Sequence, residues 1–419
     1  MKIQLAYGTS GIEADFPADA QIVNPVFAPG LADEADAILQ ALRSPIHSRP
    51  LKELAKRGDK VVVAHSDMTR AVPNQRMLPV VLQELESAGV RREDITLLCA
   101  LGTHRRQTEA EMRDLLGDFL IDRYRCVQHD AFNDSTLVSL GETNLGHPVR
   151  LNRLLVEADL KVLTGFIEPH LYAGFSGGPK CVLPGLAGSE SVQTNHGVDM
   201  IGHPNATWGI THGNPLWEEM MEMAQRLEDV FLLNVTMNNL KQITGVFAGD
   251  LSEAHRAGCE FARQHAMVKV DAPFDVVVAT NSGYPLDQNL YQCGKAMSVA
   301  SRIVRRGGAI LVAAACADGL PDGSHYARLL ERVDSVEAIR SLLATPGFFE
   351  TDQWMLQVQL MVQENAEVHI FSEGLTEAKI RRALCIPCRD LEQGITDLLR
   401  QYGPRICVLP EGPQAIPYL

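Results

Sequence analysis

The chain has 419 residues, 46% of them hydrophobic and 21% charged, with a formal net charge of −14 at pH 7. That length allows roughly two to three domains of about 150 residues, with apolar material enough for their cores. The acidic balance argues against a nucleic-acid partner, which needs a basic surface. No run approaches the roughly 18 apolar residues of a membrane helix, and the N-terminus lacks a signal-peptide core, so neither a membrane nor export is expected and the chain reads as cytoplasmic.

The dominant pattern is a short apolar run, a turn, then an amphipathic stretch. "VVVAHS" at 61–66 predicts a buried strand, and "MLPVVLQELESAG" predicts a helix stopped by glycine. "ITLLCALGTH" predicts the next strand, "TEAEMRDLLGDFL" a helix, and "LKVLTGF" at 160–166 another strand. Strands alternating with helices imply an α/β fold with parallel strands and crossover helices. The pattern restarts at "DAPFDVVVATNSG", where "DVVVATN" predicts the first strand of a second α/β unit. A helix over 291–306, the strand "GGAILVAAAC", the helices "SVEAIRSLLATPG" and "DQWMLQVQLMVQ" and the strand "AEVHIFS" follow. The division expected is an N-terminal domain over 1–270, a C-terminal domain over 271–395, and a segment, 396–419, whose strand "RICVLP" returns to the first domain. The cysteines number nine and are scattered, as suits a reducing compartment. Cys385 and Cys388 form a CxxC without the second pair a structural zinc site needs, and read as unrelated thiols.

Ligands of open α/β sheets bind beyond the carboxyl ends of the strands. Polar groups collect there: Asp67 and Arg70 in "SDMTR", His104 in "GTH", His170 in "EPH", Lys180 in "GFSGGPK" and His196 in "TNH". One histidine after a strand is usually a loop residue, but three at successive ends are harder to dismiss. His47, His129, His255 and His325 have no such placement and read as surface or structural. Arg70 is either a surface charge or a bidentate partner for a carboxylate. The glycine loop fits neither the P-loop, since Pro179 removes an N–H and Cys181 replaces the magnesium hydroxyl, nor the G-x-G-x-x-G dinucleotide pattern. It is left with cradling a phosphate through backbone N–H groups, or letting the backbone approach a bulky ligand beside Lys180.

As an ordered set, "DMTR", "GTH", "EPH", "FSGGPK", "TNH" and "YQCGK" resemble the nickel-dependent lactate racemase family, the 2-hydroxyacid racemases and epimerases that use a nickel-pincer nucleotide. The resemblance runs from about residue 60 to 360. It implies two α/β domains with cofactor and substrate in a cleft between them. It implies a cofactor, nickel pyridinium-3,5-bisthiocarboxylic acid mononucleotide, tethered through Lys180, with His196 as the protein's nickel ligand. It implies His104 and His170 as the acid/base pair, Arg70, Tyr291, Gln292 and Lys295 on the substrate, and Asp67, Thr69, Ser176, Gly177, Gly178 and Trp354 around the cofactor. Its functional partners would be the proteins that make the cofactor. The chemistry is consistent with the groups. Abstracting a proton beside a carboxylate gives a very unstable carbanion, whereas losing a hydride gives a 2-keto acid. The hydroxyl proton then needs a neutral imidazole on each side, one per enantiomer. The alternatives are a 2-epimerase of a larger hydroxy acid such as an aldonic acid, a phosphotransferase or metal hydrolase, and a protein that stores the cofactor without turnover. The last would not need both His104 and His170.

Overall fold

The computed structural model describes residues 1–69, 72–321 and 323–419, which form two compact α/β units. The first unit comprises residues 27–196 and 205–264. Its six-stranded sheet runs in the order Ile243–Gly249, Val230–Met237, Leu160–Phe166, Val61–Ser66, Ile95–Ala100, Arg125–Gln128. All neighbours are parallel except the Val230–Met237 and Ile243–Gly249 pair. The central strands are apolar on both faces because both faces are covered: every residue from Val61 to His65 and from Leu160 to Gly165 is buried. The helix Asn74–Ser87 packs Met77, Leu78, Val81, Leu82 and Leu85 on Val63, Leu97 and Val162. Those helix positions follow the 3.6-residue period of one apolar face. The helix predicted after Ile95–Ala100 starts at a capping box, in which Thr108 and Glu111 satisfy each other's backbone N–H. It stops at Leu116, where Gly117 turns out of the helix at φ +79°.

The chain leaves Val61–Ser66 in one direction, through Ile95–Ala100 to Arg125–Gln128, and then returns to the other side of Val61–Ser66 as Leu160–Phe166. The strand order therefore reverses between these two strands. Their carboxyl ends, Ser66 and Phe166, flank the crevice where such sheets take ligands.

The second unit comprises residues 1–26, 197–204 and 265–419. Its parallel sheet runs Ile386–Cys388, Ala366–Phe371, Val304–Ala313, Phe274–Thr280, Ile406–Leu409, Gln21–Ile22. Three sequence expectations change here. The strand in "RICVLP" does not return to the first domain: it pairs with Phe274–Thr280 and its four residues are all buried. Residues 1–26 also belong to this unit, because Ile3, Leu5, Tyr7 and Phe16 bury against Val276, Leu311 and Val408. The helix expected over 291–306 is Leu290–Ser301, since Val304 already pairs with Phe274 in the sheet. All nine cysteines are free thiols, Cys385 and Cys388 included.

Leu97 is fully buried in the central sheet of the first unit. Leu97→Ala should destabilise that unit by about 2–5 kcal/mol, the usual cost of a buried cavity, read as an earlier unfolding transition in urea.

Candidate active site

Four segments meet the carboxyl edge of the first sheet. Asp67 follows Val61–Ser66, His104 lies in the turn after Ile95–Ala100, and His170 and the glycine loop follow Leu160–Phe166. Asp67 is buried, and its Oδ2 lies 2.7 Å from His104 Nδ1. Its Oδ1 accepts from the Thr69 amide and hydroxyl at 3.2 and 2.7 Å. An ionised carboxylate only accepts, so Nδ1 of His104 carries a proton and Nε2 is left as the basic nitrogen. The His104 side chain is 54% exposed, open enough to meet a ligand. Its turn is tied to the chain beyond the glycine loop by a 2.9 Å bond from the Gly102 amide to the Gly185 carbonyl.

The glycine loop is clamped from behind. Asn234, a buried polar residue within Val230–Met237, accepts from the Gly178 amide at 2.7 Å. His255 donates through Nε2 to the Ser176 carbonyl at 2.9 Å and stacks on Trp217 at 6.0 Å and 14°. The Ser176 hydroxyl donates to the Phe166 carbonyl and accepts from the Glu168 amide, both at 2.9 Å, so it closes the loop on itself. Gly177 and Gly178 have φ of +76° and +54°. A Cβ there would stand 2.4 Å from Asn234 Oδ1 and 2.5 Å from the His255 ring. Glycine is required at both positions by conformation and by space. The turn Gly178–Cys181 then carries Lys180.

His196 caps the helix Ser189–Asn195 and is buried. Its Nδ1 donates to the Val192 carbonyl at 3.1 Å, which leaves the Nε2 lone pair as the donor. Burial, reinforced by the Lys180 charge, pushes this imidazole down to about 3, so it is neutral at any ordinary pH. The preceding Asn195 donates to Glu219 Oε2 at 2.9 Å, and Oε1 of that buried carboxylate accepts from Thr143 and His147 at 2.7 and 2.8 Å. His170 is buried too, with Nδ1 accepting from the Ala173 amide at 3.3 Å. Tyr172 packs against both histidines. Its ring centroid is 4.6 Å from His170 and 5.3 Å from His196, and Lys180 Nζ is 5.8 Å from it.

The first unit thus brings Asp67, Thr69, His104, His170, Ser176, Gly177, Gly178, Lys180 and His196 to one edge of one sheet. Arg70 lies outside the described residues. Tyr291, Gln292, Lys295 and Trp354 belong to the second unit. There, Tyr291, Gln292 and Lys295 are the partly exposed positions at the start of Leu290–Ser301, and Trp354 Nε1 donates to the Tyr291 hydroxyl at 3.0 Å. Sequence reasoning overlooked Tyr172 and Asn234, and read His255 as surface or structural, of which the structure shows the second. A polar residue inside the apolar run "FLLNVTM" was the available signal for Asn234, since a buried amide must be satisfied. Tyr172 sits two residues beyond His170, in the turn that joins the paired strands Pro169–His170 and Gly174–Phe175. For His255 there was no local signal.

Residues 7–209 match the lactate racemase N-terminal domain and residues 269–416 the lactate racemase C-terminal domain. The chain is 33% identical to the lactate racemase of Thermoanaerobacterium thermosaccharolyticum, covering 99% of this chain and 98% of that one. The chain belongs to the lactate racemase family. The lactate racemase of Lactiplantibacillus plantarum is 32% identical over 90% of each chain. The structure of the T. thermosaccharolyticum lactate racemase apoprotein superposes with a TM-score of 0.92 over all of both chains. A structure from Thermotoga maritima shares the fold, with a TM-score of 0.72 at 20% identity, over 93% of this chain and 99% of that one.

Among the described residues no three His, Cys, Asp or Glu side chains gather as a metal site. What the site offers is one neutral imidazole nitrogen on His196 and one amine on Lys180. That donor set fits a metal group that brings its other donors with it, and imidazole is a suitable nickel ligand.

Burial pushes His65, His196 and His255 down to about 4, 3 and 4. All three stay neutral in the folded chain but titrate near the ordinary value of 6.5 when it unfolds. Unfolding therefore takes up protons below that value. The stability they contribute is whole above it and is lost as pH falls toward about 4, at about 1.4 kcal/mol per pH unit for each group. Urea midpoints of the cofactor-free protein should fall from about pH 7 to about pH 5, and a flat profile would contradict the neutral burial.

Proposed function

We propose that this chain is a 2-hydroxyacid racemase acting on lactate or a close analogue, with a nickel-pincer nucleotide held by Lys180 and His196. The observation that carries the reading is the neutral His196, its Nδ1 already bonded to Val192 and Lys180 beside it, at a sheet edge that also presents two further histidines. The names and extent of the relatives support racemisation of lactate. When bound, the cofactor supplies a hydride acceptor, which spares the substrate a carbanion beside its carboxylate.

The chain's own residues do the rest. His104 presents Nε2 to the substrate hydroxyl and takes its proton. The Asp67 carboxylate on Nδ1 then stabilises the imidazolium, as a buried orienting acid does in other base dyads. His170 serves the opposite enantiomer, taking a proton in one direction and returning it in the other; as its Nδ1 accepts from the Ala173 amide in the neutral ring, it acts as a base only by exchanging that long 3.3 Å bond for a proton on Nδ1. His196 would hold the nickel through its Nε2 lone pair. The loop Ser176–Lys180, held by Asn234 and His255, would fix the attachment point, with Lys180 as the tether. Cofactor-making proteins are the required partners: protein produced without them should be folded and inactive.

Cofactor-loaded protein should interconvert D- and L-lactate, followed by polarimetry. C2-deuterated lactate should keep its label, and quenched turnovers should release pyruvate. Solvent deuterium at C2 with no keto acid would contradict the reading. His104→Ala and His170→Ala should each slow racemisation about 10²- to 10⁴-fold, the usual cost of a positioned base. Lys180→Ala should lose the cofactor adduct in intact-mass spectra, and His196→Ala should lose nickel.

A further inference from the structure

The second sheet has a strand-order reversal of its own, and the chain itself bridges it. From Phe274–Thr280 the chain steps outward through Val304–Ala313, Ala366–Phe371 and Ile386–Cys388, then returns to the other side of Phe274–Thr280 as Ile406–Leu409. The order therefore reverses between Thr280 and Leu409, where such sheets take ligands. Here the Thr280 hydroxyl donates to the Pro410 carbonyl at 2.8 Å, and the Ser282 hydroxyl to the Glu411 carbonyl at 2.6 Å. The turn between Lys2–Leu5 and Ile12–Asp15 leans on the same rim. Its Ala6 amide donates to the Pro410 carbonyl at 2.9 Å, and its Gly8 carbonyl accepts from the Tyr284 amide at 2.8 Å. The approach is close enough that a Cβ on Gly283 would stand 2.9 Å from the Gly8 carbonyl oxygen.

Asp287 gathers these segments. It is buried, and its Oδ2 accepts from the Gly8 amide at 2.8 Å and from the Ala315 amide at 2.9 Å. Its carbonyl accepts from the Cys316 amide at 2.9 Å, and its own amide donates to the Gly283 carbonyl at 3.0 Å. One residue thus joins the amino-terminal hairpin, the segment after Val304–Ala313 and the loop over 281–289. Amide–carboxylate bonds are charge-assisted and stronger than neutral ones. Two amides held to one oxygen fix the distance between the segments that carry them.

The tie leads directly to the start of a helix. Beyond Cys316, the Asp318 amide donates to the Gln288 carbonyl at 2.8 Å, and the Gly319 carbonyl accepts from the Leu290 amide at 3.0 Å. Asn289 caps the helix Leu290–Ser301, its Oδ1 accepting from the Gln292 amide at 3.1 Å. The segment fixed by Asp287 on one side therefore holds, on the other, the first residues of the helix that carries Tyr291, Gln292 and Lys295.

We propose that Asp287 is a positioning residue: by tying the amino-terminal hairpin to the segment after Val304–Ala313, it sets where the helix Leu290–Ser301 begins. The functional meaning rests on the racemase reading, in which Tyr291, Gln292 and Lys295 hold the substrate. Amide hydrogen exchange of the cofactor-free protein, read by 15N NMR in wild type, Asp287→Asn and Asp287→Ala, tests the tie. In wild type the Gly8 and Ala315 amides should be protected alike, although Gly8 lies in a hairpin turn beyond the paired residues. Asp287→Asn should keep that protection, because both bonds fall on one oxygen and an amide oxygen can take them. Asp287→Ala should lose it at Gly8, Ala315 and Leu290 together. In the cofactor-loaded protein, Asp287→Ala should raise KM for lactate about tenfold with kcat within about twofold, the pattern of weakened substrate binding, while Asp287→Asn should match wild type. An unprotected Gly8 in wild type would overturn the proposal. So would an Asp287→Ala protein with wild-type KM, or an Asp287→Asn protein as impaired as Asp287→Ala. If Asp287→Ala does not fold, wild-type exchange and the Asp287→Asn protein decide the matter. If the loaded wild type racemises no 2-hydroxy acid, the racemase reading fails, and the exchange comparison still decides whether Asp287 makes the tie.

Discussion

A buried amide and a buried imidazole hold the glycine loop, and the site depends on that hold. Asn234 and His255 take up one N–H and one C=O of Ser176–Gly178 from the side away from solvent. A backbone polar group left without a partner in such a place costs about 1–3 kcal/mol. The loop therefore has one arrangement that satisfies it, and that arrangement needs glycine at two positive-φ positions. Lys180 inherits its place from this clamp, and the charge it carries helps keep His196 neutral.

The same burial that makes the site rigid sets its chemistry. Imidazoles taken from water lose their affinity for protons, so His196 arrives at the edge of the sheet already in the state a metal needs. His104 is treated differently: its ring stays open to solvent while its carboxylate partner is buried. One ring is buried with a carbonyl on its Nδ1 and the other is open with a carboxylate on its Nδ1, and the difference lies in their surroundings, since the side chains are identical.

Much of this was legible in the sequence. Apolar runs such as "VVVAHS" and "LKVLTGF" mark buried parallel strands almost without ambiguity, and the polar residues just after them fall where such sheets bind ligands. Asp67, His104 and His170 could be found that way because they follow strands closely, whereas Lys180 lies in the glycine loop and His196 at the end of a helix, and both were marked by the motif set instead. Tyr172, Asn234 and His255 could not, because their importance comes from what they touch, and those contacts span up to 79 residues of chain, as between Ser176 and His255. The same limit hid the role of residues 1–26. Lys2–Leu5 and Ile12–Asp15 form only a short hairpin, and Gln21–Ile22 is a two-residue strand whose partner, Cys407–Val408, lies almost the whole chain away.

That last pairing bears on how the chain is made. Residues 1–26 carry Ile3, Leu5 and Phe16, whose core is completed only when Ile406 and Val408 have been synthesised. Until then that core is incomplete, while the first unit, complete by residue 264, is free to form ahead of it. Contacts of such long sequence separation close slowly and leave sticky surface waiting. A fragment starting at residue 265 would keep the strand Ile406–Leu409 but strip its outer neighbour, leaving a bare sheet edge of the kind that pairs with other chains. The amino terminus is thus as much a part of the carboxy-terminal half as the residues encoded there.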